Sequence, residues 1–171
     1  MKLICFILVF ITFDVSASNT VKYERIDNFY YKVKVGNYYN SDIQPIIRIN
    51  DKVVYCLEPE KLVDENLDYN LGDIKSLELT DEELRQIELI GYYGYGFYDH
   101  TDYKYYLATQ ELIWKITRPN AEISWVTSKY GSEVISVVKE IREIKEWVRN
   151  HGKIPSLAGS TLKTTINEEF K

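Results

Sequence analysis

Two side chains in this sequence could make a covalent bond to each other. One is Cys56, in Val-Tyr-Cys56-Leu-Glu, and the other is Gln110, in Ala108-Thr-Gln110-Glu-Leu-Ile-Trp114. A thiol and a carboxamide can condense with loss of ammonia to give a thioester. That is a stored electrophile, which an amine opens to leave a permanent amide. The bland readings are a buried cysteine acting as a small hydrophobe and a core glutamine bonded to nearby backbone, where its amide avoids a desolvation cost of about 1–3 kcal/mol.

The thiol has no cysteine to pair with in the expected mature chain. Lys2, the uncharged apolar run Leu3–Phe13 and the small residues Val15-Ser16-Ala17-Ser18 read as a secretory signal over residues 1–18, too short to span a bilayer. Cys5 leaves with that segment. An exported domain with one cysteine cannot form an internal disulfide, so Cys56 is either buried and inert or committed to other chemistry.

The elements that must position the pair are legible from pattern. Tyr31–Val35 alternates as a half-buried strand. Ile46–Ile49 and Val53–Leu57 flank the polar Asn50-Asp51-Lys52 as a hairpin that Pro59 ends. Residues 58–72 read as an acidic loop. Thr80-Asp-Glu-Glu83 is a capping box before a helix with Leu84, Ile87 and Ile90 inward, broken at Gly91-Tyr-Tyr-Gly94-Tyr-Gly96. A second helix spans about Tyr103–Thr117 and stops before Pro119. On it Gln110 shares an apolar face with Tyr106, Leu107, Ile113 and Trp114, while Glu111 and Lys115 read as an exposed i,i+4 pair. A third helix is expected over about Ser132–Asn150, with Val134, Val138, Ile141, Ile144 and Val148 as its stripe and Gly152 closing it. Strands first and helices after indicate α+β: an antiparallel sheet or sandwich with an inserted helical subdomain.

Composition narrows the partners. A net charge of -5, with no Lys/Arg cluster, argues against nucleic acid. Two histidines and one mature cysteine in no ligand spacing predict no metal, and no cofactor is expected. A Cys/His enzyme would need His100 or His151 beside Cys56. The first sits in the polar run Tyr98-Asp-His-Thr-Asp and the second at a helix C-terminus, where it suits the dipole. A non-covalent module gripping glycan or peptide with the Tyr-rich loop is the alternative function.

Taken together, Tyr55-Cys56, the Gly91–Gly96 run and Thr109-Gln110-Glu111-Leu112-Ile113-Trp114 resemble the surface thioester domain of Gram-positive adhesins, the TQXA type. Leu112 stands where that motif usually has Ala, and Thr109 where some members have an apolar residue; neither touches the reacting groups. Ile154-Pro-Ser is similar to the segment after the helical part in many members, so the likeness runs from Tyr31 to Ser156. It implies a Cys56 Sγ–Gln110 Cδ cross-link lined by Tyr55, Thr109, Trp114, Tyr92, Tyr93, Gly94 and Tyr95. It further implies a thioester domain over 19–153, with 154–171 as a C-terminal extension or the start of a following module. The expected protein is a monomeric adhesin module, secreted or at the cell surface, that bonds once to an amine of a host extracellular protein and does not turn over. Fibrinogen is one candidate target. The sequence contains no Leu-Pro-x-Thr-Gly sorting motif.

Overall fold

The computed structural model describes residues 7–8, 21–49, 51–60 and 78–153. Most of the expected signal segment, residues 61–72 of the expected acidic loop, and the extension 154–171 lie outside the described residues. The described elements are β1 (Ile7–Leu8), β2 (Val21–Glu24), β3 (Tyr30–Val35), β4 (Tyr38–Ile43), β5 (Ile46–Ile49), β6 (Lys52–Cys56), α1 (Asp81–Tyr93), α2 (Tyr103–Thr117), β7 (Glu122–Val126) and α3 (Val138–His151). The strands form two antiparallel sheets, ordered β1-β6-β5-β2 and β4-β3-β7. The fold is α+β, with α1 and α2 inserted between the strands β6 and β7.

The β5–β6 hairpin turns where Ile49 pairs with Lys52, and Asp51 takes the left-handed conformation (φ 64°) that a short polar side chain tolerates. The Thr80 capping box forms as expected: Thr80 Oγ1 accepts the Glu83 N–H at 3.2 Å, and the Glu83 carboxylate accepts the Thr80 N–H at 2.8 Å. Helix α1 runs through Gly91 and ends at Gly94, three residues later than the sequence suggests. Gly94 sits at a close approach of the two helices. A Cβ there would stand inside the Thr109 side chain of α2 and 2.7 Å from the Ile90 carbonyl oxygen.

The C-terminal half holds one strand that the sequence pattern does not announce, and one expectation, the start of the third helix, is corrected. Glu122–Val126 is a strand, paired to β3 with Tyr31 opposite Trp125 and Val33 opposite Ile123. The third helix starts at Val138, six residues later than expected, because the backbone before it is committed to that strand. Ile135 donates its N–H to the Trp125 carbonyl at 2.8 Å, Thr127 donates to Glu133, and Val134 bridges to Val126. Val134 therefore lies outside the helix, and Val138 on its first turn is exposed. Ile144 is fully buried, and Gly152 (φ 56°) caps the helix, its N–H on the Val148 carbonyl.

Helix α2 is the centre of the molecule. Its sequence contains no Gly or Pro, Asp102 caps it by accepting the Lys104 N–H at 2.8 Å, and eleven of its fifteen residues are buried. It packs against α1, α3 and β6. A helix covered over most of its surface places the polar side chains on its buried faces in a dry environment, where they must find partners.

Candidate functional site

Three polar side chains of α2, at successive turns, reach the β5–β6 hairpin. Tyr103 Oη donates to the Gln44 carbonyl just before β5. Tyr106 Oη accepts the Ile47 N–H at 3.2 Å and donates to the Val54 carbonyl at 3.3 Å, so its hydroxyl stands between two paired strand residues. Gln110 makes the third contact. Its Oε1 accepts the Cys56 N–H at 3.0 Å, and its Nε2 donates to the Cys56 carbonyl at 2.6 Å. The helix thus supplies hydrogen bonds that a neighbouring strand would otherwise give to β6. This two-point pairing also fixes which end of the carboxamide is oxygen, since the reverse orientation would set donor against donor and acceptor against acceptor.

The amide that a thiol would have to attack is therefore held by the main chain of the cysteine that carries the thiol. Gln110 is fully buried and Cys56 nearly so. Cys56 Sγ contacts the Glu58 carbonyl oxygen at 3.3 Å. Two phenols lie within electrostatic range of the thiol: Tyr106, raised well above the usual tyrosine value mainly by burial, and Tyr31, raised by burial and then by Asp42 and Tyr38. Asn40 Nδ2 donates to Tyr31 Oη at 2.7 Å, and the Tyr31 ring meets Trp114 edge to face at 5.9 Å. Beyond Cys56, the Arg118 guanidinium holds the carboxylates of Glu58 and Glu60.

The other expected site residues divide into two groups. Tyr55 is buried and stacks on Tyr106 at 5.2 Å, with burial raising its phenol well above the usual value. Tyr95 packs edge-on against Tyr106, and its N–H goes to Thr109 Oγ1 at 3.2 Å; that hydroxyl in turn donates to the Tyr105 carbonyl. Gly94 presses on Thr109. Trp114 lies one turn beyond Gln110, stacked on Trp125 at 5.9 Å. These five gather around the Gln110 turn. Tyr92 and Tyr93 turn away, into a separate aromatic group with Phe97, Trp147 and His151 on α3, and Tyr93 Oη donates to the Lys153 carbonyl.

Two readings of individual side chains change, those of His100 and of the Glu111–Lys115 pair, while His151 keeps its place at a helix C-terminus. His100 is buried, not solvated; its Nδ1 lies 2.8 Å from the Tyr93 carbonyl and its ring stacks on Tyr105 at 4.1 Å. His151 lies at the far end of α3, stacked on Trp147. Neither imidazole is bonded to Cys56, which leaves a Cys/His enzyme without its base among the described residues. Glu111 is not half of an exposed pair: its carboxylate accepts the Trp125 Nε1–H at 2.8 Å, and Lys115 donates to the Ala121 carbonyl instead.

Sequence reasoning passes over Tyr31, Tyr103, Arg118, and Glu58 with Glu60. The spacing of Tyr103, Tyr106 and Gln110 along one helical face is the available signal for the first contacts with the hairpin. Among the described residues there is no cluster of His, Cys, Asp and Glu that could hold a metal ion, and no helix long and apolar enough to cross a membrane.

The sequence model of the thioester-domain family matches residues 53–151, more than half of the chain, and spans both Cys56 and Gln110. The chain belongs to the thioester-domain family. No curated protein and no solved structure matches it.

Proposed function

We propose that this chain is a covalent attachment module, in which Cys56 Sγ and Gln110 Cδ join as a thioester that a primary amine later opens. The observation that carries the reading is the buried two-point pairing of the Gln110 carboxamide with the Cys56 main chain. In bond formation, Sγ adds to Cδ, the thiol proton goes to Nε2, and ammonia leaves. The Cys56 N–H points at Oε1, where negative charge develops in the tetrahedral intermediate, and such a donor in a dry site stabilises that charge. Preorganisation supplies the rest, because both groups are fixed by packing before reaction.

In the second step the nitrogen of an amine adds to Cδ, the C–S bond breaks, and the product is an amide on Gln110 with Cys56 released. The same N–H serves the second oxyanion. Each molecule reacts once, so the module is an adhesive and not a turnover enzyme. By family, the amine belongs to a lysine of a host extracellular protein, with fibrinogen one candidate, and the module acts as a monomer, secreted or displayed at the surface of a Gram-positive cell. A covalent link is not bound by the ceiling on non-covalent affinity.

The Tyr-rich loop carries less of the alternative, non-covalent function. Tyr93 is buried and spends its hydroxyl on Lys153, and Tyr95 is committed to Tyr106 and Thr109. The test is incubation with isotopically labelled methylamine followed by peptide mapping. One label per chain, on Gln110, is expected; label scattered over other side chains, or none, contradicts the proposal.

A further inference from the structure

Glu58 and Glu60 lie just after Cys56, and between them they carry more negative charge than their one cation neutralises. Arg118 Nε donates to Glu60 Oε1 at 2.6 Å, and its terminal nitrogen is shared between Glu60 Oε1 and Glu58 Oε1, the latter at 3.2 Å. The second oxygen of each carboxylate, Glu58 Oε2 and Glu60 Oε2, is buried with no hydrogen-bond partner. Glu58 is 7% exposed, and an unpaired carboxylate oxygen at that depth is costly unless something fills the place. The Glu58 main chain also touches the reacting centre, because its carbonyl oxygen is a contact of Cys56 Sγ.

The surroundings suit a cation. Tyr38 on β4 is raised by burial and then by the charge of Glu60, and Tyr31 on β3 feels Asp42, Tyr38 and Cys56. Two aromatic rings thus stand within electrostatic range of Cys56 or of the carboxylate pair, and an ammonium group is attracted by both kinds of group. Among the described residues, Arg118 is the one guanidinium bonded to the pair.

We propose that Glu58 and Glu60 are the reception site for the incoming amine, their free oxygens taking its ammonium group and the proton it must lose before it attacks. This rests on the thioester reading. A lysine-type amine arrives charged and cannot attack until it loses a proton, which passes to Glu60 and on to water. As the neutral nitrogen adds to Gln110 Cδ and the C–S bond breaks, its second surplus proton passes to the departing Cys56 thiolate, as it does for any amine. The products are a secondary amide and a free thiol, and both carboxylates end as they began. The proposal makes the site selective for cationic primary amines over neutral nucleophiles.

The test compares methylamine, a cation at neutral pH, with hydroxylamine, which is neutral there, on the mature chain and on Glu58→Gln and Glu60→Gln. Intact mass first establishes which proteins carry the thioester. Where it is retained, the methylamine rate is expected to fall about 100-fold, the lower end for loss of a positioned base, with the hydroxylamine rate unchanged. Equal slowing of both amines, or no slowing of methylamine, overturns the proposal. Loss of the thioester in both variants also overturns it, since that assigns the carboxylates to folding. A wild-type chain with no thioester refutes the underlying reading instead, and the two failures are distinct.

Discussion

Tyr106 and Gln110 stand one turn apart on α2 and hold β6 at two successive points: the Tyr106 hydroxyl on the Val54 carbonyl and the Gln110 carboxamide on both polar groups of Cys56. The glutamine is thus positioned by a helix already fastened to the strand that carries the cysteine. Fastening and chemistry can be separated by mutation.

Tyr106→Phe removes the fastening without touching the reacting pair. It leaves the buried Ile47 N–H and Val54 carbonyl short of a partner, at a cost of about 1–3 kcal/mol. Urea denaturation is expected to show that loss. A variant as stable as the wild type would mean that the hydroxyl does not bridge the hairpin.

Cys56→Ala and Gln110→Ala both abolish amine incorporation, but they should differ in stability. Cys56→Ala keeps the carboxamide on the residue 56 main chain, whereas Gln110→Ala strands a buried N–H and a buried carbonyl. Gln110→Ala should therefore be the less stable of the two by about 1–3 kcal/mol, by the penalty for unsatisfied groups. Equal melting temperatures would count against the pairing.

Gly94→Ala tests how the loop before α2 is seated. The added methyl meets the Thr109 side chain and the Ile90 carbonyl, and overpacking of this kind costs about 1–3 kcal/mol. Because Thr109 adjoins Gln110, slower thioester formation should accompany the lower melting temperature. A neutral substitution would show that α1 and α2 do not approach closely at this point.

Glu111 gives a pH signature. Burial raises its carboxyl above the usual glutamate value, against the opposing hydrogen bond from Trp125. A folded value above the unfolded one means a stability contribution that is present in full below the unfolded value and lost as pH rises through the folded one. Glu111→Gln keeps an acceptor for Trp125 and cannot ionise. Its stability relative to wild type should therefore increase as pH rises above the usual glutamate value; a difference that is flat or shrinks with pH contradicts the assignment.

Much of the site is legible in the sequence because its signals are local. A thiol without a second cysteine, a glutamine on an apolar helical face and a Gly/Tyr run before that helix can each be read within a few residues. So can the Thr80 capping box and the Gly152 cap. What sequence cannot supply depends on distant partners. Glu122–Val126 becomes a strand because β3 offers it an edge, and the backbone around Val134 is then drawn away from the helix its apolar spacing suggests. His100 reads as solvated among Asp99, Thr101 and Asp102, yet the Tyr93 carbonyl and the Tyr105 ring bury it. Arg118 meets Glu58 and Glu60 across a separation that no periodicity reveals.

Intact mass of the mature chain tests the central claim most directly. A Cys56–Gln110 thioester requires a mass lower than the sequence mass by one ammonia, restored to the sequence-derived value in Cys56→Ala and in Gln110→Ala, with one methylamine added to the wild type on incubation. A full sequence mass together with a titratable free thiol would contradict it.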